Sequence, residues 1–271
     1  MRSTALISGA SSGLGAEFAV QLAARGHDVV LVARSRDRLT ALAEAIAAEH
    51  GVEAHVLVQD LAHPDAARLV AGQLASRGLR VDLLVNNAGF GTCGHFETIA
   101  GDRDHEQVMV NVVALVDLTH SLLPGMLERG GGAVVNVASN AAFQPSPYFA
   151  VYGAAKAFVL SFGLALREEY RGRGIRVLTL CPGPVETGFF DTIGTRRAAV
   201  VGSMTTPEPV VRAALLALDR DRGYVAPGLA NSFAAHFMPR RPRTLVAALA
   251  ERVTRKVLAP MSEPAARESV A

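Results

Sequence analysis

Tyr152 and Lys156 lie four residues apart in V-Y-G-A-A-K-A-F-V-L-S-F-G-L-A-L, a run that reads as a helix. At that spacing two side chains share one helical face. A free phenol has a pKa of about 10, too high for easy proton exchange near neutrality. A neighbouring ammonium favours the phenolate and lowers that value. The pair is therefore a candidate proton donor and acceptor. Ser139 follows A-V-V-N-V-A, which reads as a buried strand. Its hydroxyl is expected at the strand's carboxyl end, in place to hold a substrate oxygen. Tyr-x-x-x-Lys also arises by chance, with the phenol half buried and the ammonium solvated. The weight of the pair rests on the elements around it.

The first of these is at the N-terminus. Thr4 to Ile7 reads as a strand, S-G-A-S-S-G-L-G follows, and A-E-F-A-V-Q-L-A-A-R-G is a helical pattern ended by Gly26. Strand, glycine turn and helix together present backbone N–H groups and a helix N-terminus to a phosphate. Gly9, Gly13 and Gly15 let the main chain turn tightly and approach a ligand. Their spacing is G-x-x-x-G-x-G, not the common dinucleotide G-x-G-x-x-G. Glycines also serve turns that hold no ligand. Asp28 to Arg34 reads as a second buried strand. In dinucleotide-binding folds an acidic residue near this strand's end binds the ribose 2′-OH, whereas Arg accommodates a 2′-phosphate. Here Ala33-Arg34 stands there, followed by Ser35, Arg36 and Arg38, a pattern that favours NADP(H). The competing reading has these arginines simply opening a solvated helix from Asp37 to His50.

A-H-V-L-V-Q-D-L is read as the third strand, ending at Asp60 and Leu61, with a helix from Pro64 to Arg77. V-D-L-L-V-N-N-A-G is the fourth, running into Asn86, Asn87, Ala88 and Gly89. A helix from Asp102 to Glu128 carries Asn111, a poor helix former, which marks a kink or a polar task. After the Tyr152 helix, R-G-R-G is a break, I-R-V-L-T-L the sixth strand, and R-G-Y-V-A-P the seventh. Residues 189–205 are less patterned, with Gly194, Gly202 and polar residues, and read as a mobile lid. Thr206-Pro207 starts another helix, with Pro at its first position. Strands alternate with helices and are continuous apolar runs, which predicts a seven-stranded parallel sheet covered on both faces. One α/β domain is expected over 1–228, with a helical extension over 229–271 whose last residues are disordered.

Composition narrows the classes. The chain has 271 residues, half of them hydrophobic, and a net charge of +2. There is no broad basic excess of the kind nucleic-acid binding needs. Cys93 and Cys181 have no metal or redox spacing, and are expected as free thiols in a reducing cytoplasm. No metal site is expected. The N-terminus does not read as a signal peptide, and no stretch approaches the ~20 apolar residues of a membrane span.

In order, S-G-A-S-S-G-L-G, Asp60-Leu61, N-N-A-G at 86–89, Asn111, Ser139, Y-G-A-A-K at 152–156 and P-G-P-V-E-T at 182–187 resemble the short-chain dehydrogenase/reductase family. The resemblance covers about Thr4 to Gly228. It departs at Ser8, where the family usually has Thr, an exchange of one small hydroxyl residue for another. The resemblance implies a Rossmann-type doubly wound fold and an NADP(H)-dependent oxidoreductase. Tyr152 would be the general acid in reduction and the base in oxidation. Lys156 would lower its pKa and bind the nicotinamide ribose, Ser139 would orient the substrate oxygen, and Asn111 would hold a relay water. Gly9, Ser11, Ser12, Gly13, Leu14 and Gly15 would cradle the pyrophosphate and adjacent ribose. Asp60 and Leu61 would meet the adenine. Asn87, with Ala88 and Gly89, would lie by the adenine-side ribose. Pro182, Gly183 and Val185 would shape the nicotinamide pocket, and Thr187 would hold the carboxamide. A homodimer or homotetramer is implied, built on the long helices carrying Asn111 and Tyr152.

The substrate is expected to be a hydrophobic ketone or alcohol, since no cationic cluster announces a carboxylate or phosphate. Phe90, Phe96, Phe143, Phe149, Phe189 and Phe190 are candidate pocket residues, and Tyr148 a candidate pocket wall. A catalytically silent NADP-binding regulator is the alternative, although such proteins tend to lose the Tyr or Lys that this chain keeps. In the tail, Leu245, Leu249 and Val253 with Val246 form an apolar helical stripe among Arg240, Arg241, Arg243, Arg252, Arg255 and Lys256. Two readings stand: a helix packed on its own subunit or a neighbour, and a peripheral contact with an anionic membrane. A further alternative has Phe233, Phe237 and Met238 closing the pocket from outside.

Overall fold

The computed structural model describes residues 2–189, 193 and 204–255. Among them, seven parallel strands form one sheet in the order β3-β2-β1-β4-β5-β6-β7. These are β1 (Thr4–Ser8), β2 (Asp28–Ala33), β3 (Ala54–Val58), β4 (Leu83–Asn86), β5 (Gly132–Val137), β6 (Ile175–Leu180) and β7 (Tyr224–Val225). The helices are α1 (Gly13–Ala24), α2 (Arg36–His50), α3 (Ala66–Ser76), α4 (Gly101–Val108), α5 (Ala114–Glu128), α6 (Ala150–Tyr170), α7 (Pro207–Asp219), α8 (Leu229–Phe237) and α9 (Arg243–Thr254). The doubly wound sheet expected from the apolar runs is present.

The runs are continuous because both faces of the sheet are covered. Ala5 and Ile7 of β1 face a core with Phe18 of α1, Leu39 of α2 and Leu215 of α7. Leu6 between them faces the other core, with Val70 of α3, Leu118 of α5 and Leu166 of α6. Burying one such large side chain contributes roughly 1.5–3 kcal/mol. The chain winds outward from β1 to β3, then returns to β4 and winds the other way. The carboxyl ends of β1 and β4 therefore diverge into a crevice, the place where open α/β sheets bind ligands.

The single helix expected over 102–128 is three pieces. A π-helical turn, Met109–Val113, separates α4 from α5. Such turns are inserted at functional sites more often than elsewhere. Asn111 sits within it, 1% exposed.

Two helical spans, Gly101–Glu128 and Ala150–Tyr170, are long and apolar enough to cross a membrane, contrary to the expectation that no stretch comes close. Both cover the sheet and carry the buried polar residues Asn111 and Lys156, as core helices of this fold do. Their outer faces show Val108, Phe158 and Leu164 to solvent.

Candidate active site

A cleft of about 600 Å³ opens along the carboxyl ends of the strands. One part of its floor is the turn from β1 to α1. Gly9 (φ 68°) and Gly13 (φ 56°) take left-handed conformations there. The turn lies hard against the N-N-A-G turn after β4: a Cβ on Gly9 would fall 2.8 Å from Ala88 Cα. Ser8 Oγ accepts from the N–H groups of Asn87 (3.0 Å) and Ala88 (3.1 Å) and donates to the Val85 carbonyl. The Asn87 amide donates to the carbonyls of Ser8 and Gly9. A Ser or Thr hydroxyl suffices for this stitch, which accounts for the harmless departure at Ser8.

Ser11, Ser12, Gly13 and Leu14 line the cleft. Ser12 precedes α1 without a side-chain cap, so the first N–H groups of the helix carry no side-chain acceptor. Uncapped helix N–H groups are donors for an anion, and this end fits a pyrophosphate. Gly15 departs from expectation. It is buried behind the turn, where a Cβ would meet the Gly9 carbonyl oxygen at 2.2 Å, and its task is packing. Asp60, Leu61, Asn87, Ala88, Gly89, Pro182, Gly183, Val185 and Thr187 all border the cleft, as do Arg34 and Arg38. The Asn87 NH2 group, however, is engaged by the turn and not directed to a ribose. Arg34 is largely exposed and meets an acidic partner that the sequence reading missed: Glu106 of α4, at 3.5 Å. Glu106 also binds Arg103 at 2.6 Å, and Arg103 stacks over Phe90. Neighbours so far apart in sequence leave no local pattern to find.

The other end gathers the proton-handling residues. Ser139 follows β5, accepts from the Ala141 N–H and donates to Asn140 Oδ1. Lys156 is 5% exposed and donates to the Val137 carbonyl at 2.8 Å. Its Nζ lies 5.7 Å from the Tyr152 ring centroid. Burial pulls the Lys156 pKa down to about 8. Burial also pushes the Tyr152 phenol up to about 12, with the Ser139 hydroxyl opposing it. The expected lowering of the phenol by the ammonium does not prevail in the polypeptide itself, where burial sets the direction and Ser139 opposes it. Asn111 accepts from the Phe90 N–H (3.0 Å) and donates to the Phe90 carbonyl (2.9 Å). Its amide fixes the loop after β4, where the resemblance implied a bound water. Gly89 makes this convergence possible: a Cβ there would lie 2.9 Å from Asn111 Oδ1 and 3.4 Å from Lys156 Nζ.

Of the candidate pocket phenylalanines, Phe90, Phe149 and Phe189 line the cleft, and Phe189 lies 5.3 Å from the Tyr152 ring. Phe143 packs into a side core against Tyr224, and Phe96 is 67% exposed and borders a separate small cavity. Phe190, most of the expected lid and the tail from Lys256 lie outside the described residues. Tyr148 is not on the main cleft; its hydroxyl donates to Glu251 at 2.7 Å. The tail stripe is turned outward: Leu245, Leu249 and Val253 are exposed, whereas Val246 is buried. Phe233 is likewise exposed, and α8 instead brings Asn231 against Gly183.

With this geometry, comparison with known proteins is decisive for the family. The family model for short chain dehydrogenases matches residues 3–198, and the chain belongs to that family of oxidoreductases. The very-long-chain 3-oxoacyl-CoA reductase of Anas platyrhynchos is 34% identical over 217 residues, which cover 78% of this chain and 67% of that protein. A short-chain dehydrogenase from Sphingobium yanoikuyae, solved in complex with NADPH, superposes with a TM-score of 0.78 at 32% identity, covering 98% of this chain and 99% of that one. The bulky-bulky ketone specific alcohol dehydrogenase from Comamonas testosteroni gives 0.74 at 29% identity, covering 99% of each chain.

A buried lysine works against stability. Its folded pKa near 8 lies below its ordinary 10.5, so at neutral pH the unfolded chain holds this proton more tightly. At one pKa unit per ~1.4 kcal/mol, the cost is about 3 kcal/mol, present below pH 8 and relieved as pH rises from 8 to 10.5. Removing the ammonium leaves the buried Val137 carbonyl without this donor, which costs about 1 kcal/mol. Lys156→Met is expected to raise the unfolding free energy by about 2 kcal/mol at pH 7. The gain should shrink as pH approaches 10.5, read by guanidinium titration at several pH values. A destabilised Met variant at pH 7 would show that the ammonium is better solvated than this.

Proposed function

We propose that the protein is an NADP(H)-dependent oxidoreductase that interconverts a ketone and a secondary alcohol on a hydrophobic small molecule. The observation that carries this is the convergence of Ser139, Tyr152 and Lys156 at one end of a single cleft whose floor is the uncapped start of α1. NADPH, when bound, supplies the hydride. The remaining work falls to the chain. Ser139 sits where its hydroxyl holds the substrate oxygen. Burial keeps the Tyr152 phenol protonated at neutral pH, so it has a proton to give, and the neighbouring Lys156 ammonium favours its release. Tyr152 gives that proton to the carbonyl oxygen as the C–H bond forms, and the Lys156 ammonium stabilises the phenolate left behind. Phe149 and Phe189 give the apolar surroundings that suit a hydrophobic ketone. The NADPH complex and the ketone specificity named for the two solved relatives support the same reading.

Tyr152→Phe keeps the ring and removes the proton. Turnover of a ketone panel, followed at the nicotinamide absorbance, should fall at least a thousandfold while NADPH binding persists. Retained turnover would remove Tyr152 from its role. A native protein that binds NADPH but reduces nothing would point to the silent regulator.

The Ala33-Arg34 corner, with Arg38 beside it, is the proposed 2′-phosphate site. Charge-assisted pairs of this kind contribute roughly 1.5–3 kcal/mol. Arg34→Ala should weaken NADPH about ten- to a hundredfold and leave NADH nearly unchanged. Equal native affinity for both, measured by calorimetry, would overturn the assignment.

Assembly belongs to the same proposal. The outward Val108, Phe158 and Leu164 on the two long helical spans are the face offered to a second copy. Sedimentation at micromolar concentration should show a dimer or tetramer, and a stable monomer would refute it.

A further inference from the structure

We propose that α9 is the outer wall of the substrate pocket, with Ala250 and Thr254 as specificity-determining residues, and that the Tyr148–Glu251 hydrogen bond is the latch that positions it. The inference rests on the reading of Tyr152 as the acid and extends it to the substituent of the substrate. Ala250 and Thr254 line the same cleft as Tyr152 and Phe149. Val246, Ala250 and Thr254 are spaced by four and so share one face of α9. Val246 anchors that face in the protein, while Leu245 and Leu249 point away.

The latch tells which end of the cleft α9 covers. Glu251, next to Ala250, accepts from the Tyr148 hydroxyl at 2.7 Å across 103 residues of chain. Tyr148 precedes α6 by two residues, so α9 stands at the Tyr152 end and not at the arginine end. Tyr148 is also held in place from behind. Its backbone is left-handed at φ 66°, rare for a bulky residue. Such a conformation persists where the surroundings over-determine it. Here the Gly94 N–H donates to the Tyr148 carbonyl at 2.9 Å and the His95 ring packs edge-on at 5.2 Å. Arg255 donates to the same Glu251 oxygen at 2.7 Å and aims the carboxylate.

The wall itself is small and apolar. Ala250 has only a methyl group, and the Thr254 hydroxyl donates within the helix to the Ala250 carbonyl at 2.6 Å, which takes its proton out of play for a ligand. In the cleft that Phe149 also lines, this surface leaves room for a bulky apolar group on the ketone and offers no donor to a polar one.

Two readouts decide the matter, one of them independent of turnover. The first is amide hydrogen exchange of the segment 243–255 in the intact protein. Tyr148→Phe and Glu251→Ala should each speed exchange at least tenfold, and Glu251→Gln, whose amide oxygen still accepts, should restore most of the protection. The second is kcat/KM with NADPH for a methyl aryl ketone and a diaryl ketone. Ala250→Phe should cut the diaryl-to-methyl ratio at least tenfold without changing NADPH affinity, and the latch variants should raise KM for the diaryl ketone more than they lower kcat. Unchanged exchange in both latch variants overturns the latch, and an unchanged ratio in Ala250→Phe overturns the wall. If the native protein reduces no ketone, the oxidoreductase reading falls by itself, and the exchange measurement still decides the latch.

Discussion

The site depends on keeping the Lys156 ammonium almost out of water. Burial of that charge is unfavourable, and its single protein acceptor among the described contacts is the Val137 carbonyl at the end of β5. Everything around it is arranged to allow this. Gly89 has no side chain to occupy the space. The π turn swings Asn111 inward, and its amide clamps Phe90 at both N–H and carbonyl. The ammonium is thus available to a phenolate one helical turn away, in a medium where the pair interacts more strongly than in water. Stability is given up locally for a charge held where chemistry needs it, as functional sites commonly do.

Much of this was legible from residue types and spacing. Apolar runs without alternation required a sheet covered on both faces, and the structure has it. Tyr152 and Lys156 at helical spacing share a face of α6, and Ser139 falls just past β5 as the strand pattern demands. The glycine turn was legible because φ near +60° at Gly9 and Gly13 admits few other residues. Even the misfit of Asn111 in a helix was a correct sign, although a kink and a π turn look alike in sequence.

What was not legible depends on contacts between distant segments. Glu106 reaches Arg34 from α4, and no local pattern links the two. Phe96 and Phe143 carry the same ring as Phe149 and differ only in which way their loops turn. The direction of the Tyr152 shift was misjudged for a physical reason. A neighbouring cation is visible in the sequence as Tyr-x-x-x-Lys, whereas the desolvation that raises the phenol appears only once the fold encloses the ring.

The tail shows how an amphipathic pattern can name a helix without naming what each of its faces meets. The large apolar residues Leu245, Leu249 and Val253 form the stripe expected to meet its own subunit, a neighbour or a membrane, and within the single chain they are exposed. A helix that bounds a pocket obeys a rule of its own. Large residues on its inner face would fill the space the ligand needs, so that face carries Ala250 and Thr254, with only Val246 set into the core. The hold that the small inner residues cannot supply by area comes instead from a directional contact, Tyr148 to Glu251. Loss of apolar burial at a pocket wall and the presence of a long-range polar tether are then two consequences of one requirement, that the wall be thin and still stay in place.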